Sequence, residues 1–302
     1  MAEAIPKVAA IHDLSGFGRA SLTVVLPVLS AMGIHPCPLQ TAMLSTQTSG
    51  YDNYYMKDLT GSMERVLDHW ESLGLRFEGI YSGFLGSPRQ VEIVSRCIDI
   101  LQSPEGCRVL IDPVLGDDGQ LYGPFDRSMV AAMRTLVRRA DIITPNYTEA
   151  LLLLDESWHQ RAGEKQVGDY LKRLAGTGPA TVIMTSVPLA GKEGISTTAL
   201  YARNTDAAWL IEMPELPGRY PGTGDLFASV LIGALLREMG ELQAVRLAAG
   251  FVCRAIAATI EAGTPIREGV VIEPVLPDLM RACCMEERDE LPAPALTVRE
   301  LG

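Results

Sequence analysis

Two glycines, a threonine and an aspartate form the stretch of this chain with the clearest capacity for chemistry. Pro221-Gly222-Thr223-Gly224-Asp225 runs directly into an apolar segment with helical spacing, which predicts a tight turn opening into a buried helix. Amide groups at the start of such a helix converge on one point and favour an anion. A carboxylate beside that anion is best explained as a base that takes a proton from an attacking hydroxyl. The pattern indicates phosphoryl transfer; the alternative is that Asp225 is a plain helix cap.

Acidic and amide side chains follow two apolar segments that we interpret as strands. Asp112 lies in the strand predicted over 108–115, and Asn146 and Glu149 follow the strand predicted over 141–144. A buried carboxylate is costly unless a metal ion or ordered water compensates its charge. Because Asn146 and Glu149 have the spacing of a capping box, capping is the alternative for this pair. The carboxyl ends of both strands lie at one edge of the predicted sheet, which favours a shared polar site.

Further polar groups follow other strands, where a small molecule could bind. Asp13 follows the first predicted strand in a glycine-rich turn, with helix capping as its alternative role. The turn lacks the G-x-G-x-x-G spacing of a dinucleotide site, which argues against a nicotinamide enzyme. With Asp13, the candidate substrate contacts are the hydroxyl-rich loop after the second strand and two aromatic residues: Ser45, Thr46, Gln47, Ser49, Phe84 and Tyr122.

Two more segments have several possible roles. Thr185 and Ser186 offer hydroxyl groups after a strand predicted over 180–185. Asp117, Asp118 and Gly119 form an acidic turn near Tyr122, which could be a flap over the site or an exposed acidic loop.

The elements that must position these residues alternate between strand and helix. Parallel strands are predicted over 7–12, 38–44, 79–84, 108–115, 141–144 and 180–185, and an antiparallel pair over 197–202 and 208–213. Helices are predicted over 19–32, 55–73, 88–102, 125–139, 164–176, 240–261 and 273–286, and after Asn146 and Gly222. This order predicts an α/β fold, a doubly wound, mostly parallel sheet with helices on both faces. We expect one domain over residues 1–289 and a poorly ordered tail over 290–302.

Composition excludes several classes of protein. The 302 residues carry a formal net charge of −11, which argues against nucleic acid as a partner. The six cysteines show no Cys-x-x-Cys spacing, so zinc is not expected and reduced thiols are. The N-terminus lacks the pattern of a signal peptide, and the apolar run over 226–236 is too short to cross a bilayer. We expect a soluble, cytoplasmic protein.

Five motifs, in order and spacing, resemble the pyridoxal kinase branch of the ribokinase superfamily from end to end. They are YSGFLGS at 81–87, IDPVLGDDGQLYGP at 111–124, ITPNYTEALLL at 143–153, TVIMTS at 181–186 and GTGDLFAS at 222–229. The resemblance implies a ribokinase-like fold without a separate lid domain, a homodimer, and ATP-dependent phosphorylation of the 5'-hydroxymethyl group of pyridoxal, pyridoxamine or pyridoxine.

The same resemblance implies roles for individual residues. Asp112, Asp117, Asn146 and Glu149 would surround Mg2+ and the phosphates, with Thr144 near a monovalent cation, K+ or Na+. Thr185, Ser186 and Thr223 would contact the nucleotide. Gly222, Thr223 and Gly224 would form the anion hole, Asp225 would activate the substrate hydroxyl, and Tyr122 would belong to the flap.

The N-terminal third departs from that branch. Asp13-Leu14-Ser15-Gly16 is closer to the turn of hydroxymethylpyrimidine (phosphate) kinases, although Thr46-Gln47-Thr48 differs from the Gln-Asn-Thr loop usual in those enzymes. A B6 vitamer is the expected substrate, and hydroxymethylpyrimidine is the second hypothesis for the acceptor. Two hypotheses of a different kind are a sugar or nucleoside kinase and a catalytically silent binding protein.

Overall fold

A computed structural model describes residues 5–123, 125–284 and 296–301. Its strands are β1 (Lys7–Ser15), β2 (His35–Leu44), β3 (Met56–Asp58), β4 (Gly79–Ser82), β5 (Arg108–Ile111), β6 (Gly116–Asp117), β7 (Gln120–Leu121), β8 (Ile142–Ile143), β9 (Thr181–Met184), β10 (Ile195–Ala202), β11 (Ala207–Pro214) and β12 (Thr297–Glu300). Its α-helices are α1 (Leu22–Ala31), α2 (Thr60–Ser72), α3 (Pro88–Leu101), α4 (Arg127–Val137), α5 (Tyr147–Leu154), α6 (Glu164–Ala175), α7 (Thr223–Leu236), α8 (Glu241–Ala262) and α9 (Leu276–Cys284).

Ten of the described strands form one sheet in the order β12-β11-β10-β9-β8-β5-β4-β1-β2-β3. The six strands from β2 to β9 in this order pair in parallel, whereas β3 at one edge and β10, β11 and β12 at the other are antiparallel. Within the described residues, the second sheet is the hairpin of β6 and β7. The predicted doubly wound, mostly parallel α/β architecture is confirmed.

Strand residues alternate between two hydrophobic layers because successive side chains point to opposite faces of a sheet. In β1, Ala9 and Ile11 pack in the layer formed with α2 to α6, and Val8 and Ala10 pack in the layer formed with α1, α7, α8 and α9. Burying each large aliphatic side chain contributes about 1.5–3 kcal/mol. These two layers fix the sheet rigidly between the helices.

The sheet order reverses at β1, which has β2 on one side and β4 on the other. In an open α/β sheet, ligands bind outside the carboxyl ends of the strands at such a reversal. Asp13 lies near the carboxyl end of β1, and Asp112 and Thr144 directly follow the carboxyl ends of β5 and β8. The fold therefore gathers the candidate residues at one edge.

The structure corrects several local predictions. Asp13 lies within β1 and not in the turn after it, because β1 continues to Ser15 across an irregularity in its register with β2. The helix predicted from residue 55 begins at Thr60, after the edge strand β3.

The C-terminal prediction is wrong where the structure describes it. Residues 297–300 form β12, which pairs antiparallel with β11, in place of the expected poorly ordered tail. The proposed domain boundary at residue 289 lies outside the described residues.

Helix α8 is long and apolar enough to cross a membrane, with a mean hydropathy of 1.3 in its most apolar window. Half of that window is buried inside the protein, and residues of α8 such as Phe251 pack in the layer that α7 also forms. A buried core helix satisfies the same criteria, so this is weak evidence for a membrane span.

Candidate active site

The turn before α7 requires glycine at its first position. Gly222 has a φ of 82°, in the left-handed region, and a Cβ there would clash with the carbonyl oxygen of Arg19. Thr223 donates its hydroxyl to the carbonyl oxygen of Tyr220 at 3.0 Å. The backbone can therefore enter α7 with its first amides turned outward, as an anion hole requires.

Asp225 lies in the first turn of α7 and does not cap that helix through its side chain. Its Oδ2 accepts a hydrogen bond from the backbone N–H of Ser21 at 2.8 Å, and its Oδ1 lies 3.7 Å from His12 Nδ1. Burial raises the pKa of Asp225 to about 6, with the charge of Asp13 adding to the rise and the Ser21 hydrogen bond opposing it. A carboxyl group with this pKa is suited to accept a proton near neutral pH.

Asp112 lies at the end of β5, beside the same turn. It is 7% exposed, and Thr144 donates its hydroxyl to Asp112 Oδ1 at 2.9 Å. A Cβ on Gly224 would lie 3.8 Å from Asp112 Oδ2, which places this carboxylate next to the start of α7. Burial raises the pKa of Asp112 to about 7, and the charge of Asp225 adds to the rise.

Asn146 and Glu149 form the capping box of α5, so the capping alternative is confirmed. Asn146 Oδ1 accepts from Glu149 N at 2.9 Å, and Glu149 Oε2 accepts from Asn146 N at 2.8 Å. The second oxygen of Glu149 accepts from Leu115 N at 3.0 Å, which ties α5 to the segment after β5. Burial and then the charge of Asp112 raise the pKa of Glu149 well above its usual range. Glu149 is thus both a cap and part of the acidic site.

Two buried carboxylates, Asp112 and Glu149, lie with the partly exposed Asp225 at one edge and make a site that a cation would stabilise. Asp112 raises the pKa of Glu149, and Asp225 raises the pKa of Asp112, because each disfavours a second negative charge nearby. Across the described part of the chain, no group of three or more His, Cys, Asp and Glu side chains is arranged to hold a metal ion. Mg2+ commonly takes one or two carboxylates and completes its shell with phosphate oxygens and water, so this donor set fits Mg2+ bound with a nucleotide.

The acidic turn forms the hairpin of β6 and β7. Asp117 and Asp118 are exposed at its tip, and Arg219, three residues before Gly222, pairs with both. Asn146 Nδ2 donates to the carbonyl oxygen of Gly116 at 2.9 Å, which fixes the base of the hairpin. The predicted flap thus contacts the loop before the glycine turn of residues 222–224.

The two aromatic candidates follow different strands, Phe84 after β4 and Tyr122 after β7. Tyr122 is 41% exposed. Phe84 stacks on Phe125 with ring centroids 5.6 Å apart, so one of its faces is already covered.

The candidate substrate loop is largely held by its own hydrogen bonds. Gln47 Oε1 accepts from Ser49 N at 2.6 Å, and Gln47 Nε2 donates to the carbonyl oxygen of Arg267 at 2.7 Å. Ser45 Oγ accepts from Tyr55 N at 2.9 Å. Thr46 Oγ1 is buried without a hydrogen-bond partner in the structure.

Asp13 and the two residues after β9 have different neighbours. Asp13 Oδ1 accepts from Ser21 Oγ at 2.5 Å and Oδ2 accepts from Ser15 Oγ at 3.2 Å, while burial raises its pKa. The backbone N–H of Thr185 donates to the carbonyl oxygen of Pro145 at 2.9 Å, and the carbonyl oxygen of Thr185 accepts from the N–H of Tyr147, the first residue of α5, at 3.1 Å. Ser186 is exposed, with a left-handed φ of 52°.

Sequence reasoning did not select His12, Ser21 or Arg219. His12 and Ser21 flank Asp225, and Arg219 holds the hairpin. The sequence offered one indication that His12 is near the site, its position next to Asp13. The contact of His12 with Asp225 joins distant parts of the chain and leaves no local pattern.

Comparisons with known proteins identify the family and the fold. The model of the phosphomethylpyrimidine kinase family matches residues 22–269. A crystal structure of a putative phosphomethylpyrimidine kinase from Bacteroides thetaiotaomicron has a TM-score of 0.90 and 40% identity, and covers 99% of this chain and 99% of its own. An orthorhombic form of that protein, crystallised with pyridoxal, has a TM-score of 0.88 and 43% identity over 91% of this chain and 96% of its own.

Pyridoxal kinases are also similar to this chain. The crystal structure of pyridoxal kinase from Lactobacillus plantarum has a TM-score of 0.84 and 31% identity, covering 92% of this chain and 97% of its own. Pyridoxal kinase of Ovis aries is 30% identical over 73% of this chain and 74% of its own length.

Proposed function

Given that this chain belongs to the phosphomethylpyrimidine kinase family and to the pyridoxal kinase branch of the ribokinase superfamily, we propose that it transfers the γ-phosphoryl group of ATP to the 5'-hydroxymethyl group of a B6 vitamer. Pyridoxal, pyridoxamine and pyridoxine are the candidate acceptors. The observation that carries the proposal is the position of Asp225, a carboxylate only 16% exposed and with a raised pKa, in the first turn of α7 beside the glycine turn of residues 222–224.

The proposed reaction uses the groups at this edge of the sheet in a fixed order. Asp225 accepts the proton of the vitamer hydroxyl as its oxygen forms a bond to the γ-phosphorus, and the bond from that phosphorus to the β-phosphate oxygen breaks to release ADP. The amides of Gly222, Thr223 and Gly224 would stabilise the charge on the phosphoryl oxygens during transfer. Thr185 and Ser186 would contact the nucleotide phosphates from β9.

Asp112 and Glu149 are the residues that would hold Mg2+ together with the nucleotide. When bound, Mg2+ would neutralise charge on the β- and γ-phosphates. Asp117 and Asn146 would support this region from the hairpin and the α5 cap, and Thr144, bonded to Asp112, would lie near a monovalent cation, K+ or Na+. A magnesium titration of Asp112→Asn and Glu149→Gln tests the assignment: both variants should need more Mg2+, and a curve superimposable on wild type would leave that residue with a structural role alone.

Assembly and location are further parts of the proposal. We propose a homodimer, as the resemblance implies, and a cytoplasmic location, as the sequence predicts. Light scattering on the purified protein tests the assembly, and a monomer over the working concentration range would contradict it.

Steady-state kinetics with each candidate acceptor tests the proposed function. ADP release should depend on the vitamer, and the product should be the 5'-phosphate by mass spectrometry. ATP turnover that is independent of any vitamer, or absent with all three, would contradict it.

Hydroxymethylpyrimidine is the second candidate acceptor. Asp13, Ser15 and Gly16 give this segment its likeness to hydroxymethylpyrimidine (phosphate) kinases, and the matched family is described as phosphomethylpyrimidine kinase. A preference of tenfold or more in kcat/KM for hydroxymethylpyrimidine over every B6 vitamer would make this candidate the function.

A further inference from the structure

His12 is a fully buried histidine that the proposed chemistry leaves without a task. Its side chain is 0% exposed, and neither Nδ1 nor Nε2 has a hydrogen-bond partner within normal distance. A buried polar group without a partner is unfavourable, so native structures rarely keep one without a reason. The nearest polar group is Asp225, whose Oδ1 lies 3.7 Å from His12 Nδ1.

Neighbouring elements hold the imidazole in this position. Its ring packs edge-on against Tyr81 of β4, with ring centroids 4.3 Å apart, and the Tyr81 hydroxyl donates to the backbone carbonyl oxygen of Asp225 at 3.3 Å. Gly83 leaves the space that the ring fills, because a Cβ at residue 83 would clash with Nδ1 and Cε1 of His12. β1, β4 and α7 thus direct Nδ1 towards the carboxylate.

Burial lowers the pKa of His12 to about 3, so the imidazole is neutral at working pH. A neutral imidazole protonated on Nδ1 offers one N–H to Asp225 and adds no charge. At 3.7 Å this contact is too long for a hydrogen bond, but bonds to catalytic groups are often long without substrate and shorten in the reactive complex.

We propose that His12 is a positioning residue for Asp225, donating its Nδ1–H to Oδ1 of that carboxylate in the reactive complex. The Ser21 amide already holds Oδ2. With both oxygens held, the carboxylate presents one fixed direction to the substrate hydroxyl. His12 neither takes nor gives a proton: the hydroxyl proton goes to Asp225, and the phosphoryl group goes from ATP to the vitamer oxygen. This inference rests on the proposed role of Asp225 as base.

The test compares a variant that removes the donor with one that keeps it. His12→Leu fills much of the same space without an N–H, whereas His12→Asn retains an N–H near the position of Nδ1. We expect His12→Leu to lower kcat about tenfold, with KM for vitamer and for ATP changed less than about twofold, and His12→Asn to recover most of the loss. Gly83→Ala keeps the histidine but displaces its ring, and we expect kcat to fall with it as well.

A double-mutant comparison separates positioning from general damage. Because His12 acts through Asp225, His12→Leu should cause no further loss of kcat in an Asp225→Asn background. The proposal is overturned if His12→Leu keeps the wild-type kcat, or if His12→Leu lowers kcat by the same factor in the Asp225→Asn background as in wild type. It is also overturned if the kcat of His12→Asn is no higher than that of His12→Leu. Melting temperatures of all variants show whether each one is folded. If His12→Leu is unfolded, the kcat values of Gly83→Ala and His12→Asn test the proposal in its place.

The same experiment distinguishes this proposal from the proposed function. A wild-type enzyme that phosphorylates no B6 vitamer contradicts the proposed function alone, since the His12 comparison is then made with whichever alcohol the enzyme accepts. A wild-type enzyme that phosphorylates vitamers, together with an unaffected His12→Leu, contradicts the His12 proposal alone. An active Asp225→Asn contradicts the base assignment and with it the role of His12.

Discussion

At the scale of single residues, Asp225 is the group on which the proposed chemistry depends. Asp225→Asn keeps the shape of the side chain and an acceptor oxygen for the Ser21 amide, but cannot accept a proton. We expect kcat to fall by about 100-fold or more, because loss of a general base costs about 10²–10⁴. ATP affinity, measured by calorimetry, should change little. A kcat near that of wild type would show that Asp225 is not the base.

Asp13 is the residue expected to choose among acceptors. Its buried carboxylate accepts from Ser15 and Ser21 and raises the pKa of Asp225, so it lies close to the reacting group. Loss of a charge-assisted hydrogen bond to a ligand changes specificity by roughly 10- to 150-fold. We expect Asp13→Ser to reorder kcat/KM among pyridoxal, pyridoxamine, pyridoxine and hydroxymethylpyrimidine.

Ser15→Ala is the matched control for this substitution, because it removes one partner of Asp13 and keeps the carboxylate. We expect it to preserve the ranking of the four acceptors. If Asp13→Ser changes kcat/KM by the same factor for all four acceptors, Asp13 has a structural role and does not select the acceptor.

At the scale of elements, local sequence patterns predicted where the helices of the site begin, but they did not predict the edge strands of the sheet. The spacing of Asn146 and Glu149 predicts a capping box, and the glycine turn predicts the start of α7, because both depend on neighbours in sequence. β3 and β12 were not predicted, since each is three or four residues long and exists by pairing with an edge formed by distant residues. The contact between His12 and Asp225 was not predicted either, because it joins residues that are distant in sequence.

The C-terminal strand depends on one arginine. Arg299 of β12 pairs with Glu164 of α6 through both of its terminal nitrogens and with Glu212 of β11 at 3.1 Å. Glu212 is a buried carboxylate whose other partner is Lys192. We expect Arg299→Ala to lower the free energy of unfolding by about 1–2 kcal/mol, because it leaves part of a buried charge unpaired.

Arg76→Ala is the control for Arg299→Ala, since the exposed Arg76 side chain donates to the adjacent Leu75 carbonyl oxygen. Urea unfolding of both variants gives the comparison. Equal stability of the two would show that Arg299 adds nothing to the docking of β12.

At the scale of the whole molecule, the acidic site makes folding stability depend on pH and on Mg2+. Burial raises the pKa of Asp112 to about 7 and of Asp225 to about 6, from an ordinary value of 3.8. These two groups therefore bind more protons in the folded protein than in the unfolded chain between pH of about 4 and 7, and they destabilise the fold as pH rises through that window. His12, whose pKa burial lowers to about 3, acts in the opposite sense below its ordinary value of 6.5. Carboxyl groups with lowered pKa, such as Asp99 and Glu164, act in the opposite sense, but only near and below pH of about 4.

We accordingly expect the melting temperature without divalent cations to be higher at about pH 6 than at about pH 8, because the buried carboxyl groups become neutral on acidification. Mg2+ with a non-hydrolysable ATP analogue should stabilise the protein more at the higher pH, since it binds the ionised carboxylates. Of Asp112 and Asp225, Asp112 has the pKa that is raised further, so Asp112→Asn should reduce the change of melting temperature with pH. Asp117→Asn, at the exposed tip of the hairpin, is the control and should leave that change as in wild type. Calorimetric scans at both pH values test this prediction. If the wild-type melting temperature is lower at about pH 6 than at about pH 8, or if its change with pH is the same in Asp112→Asn as in wild type, these carboxyl groups do not determine the pH dependence of stability.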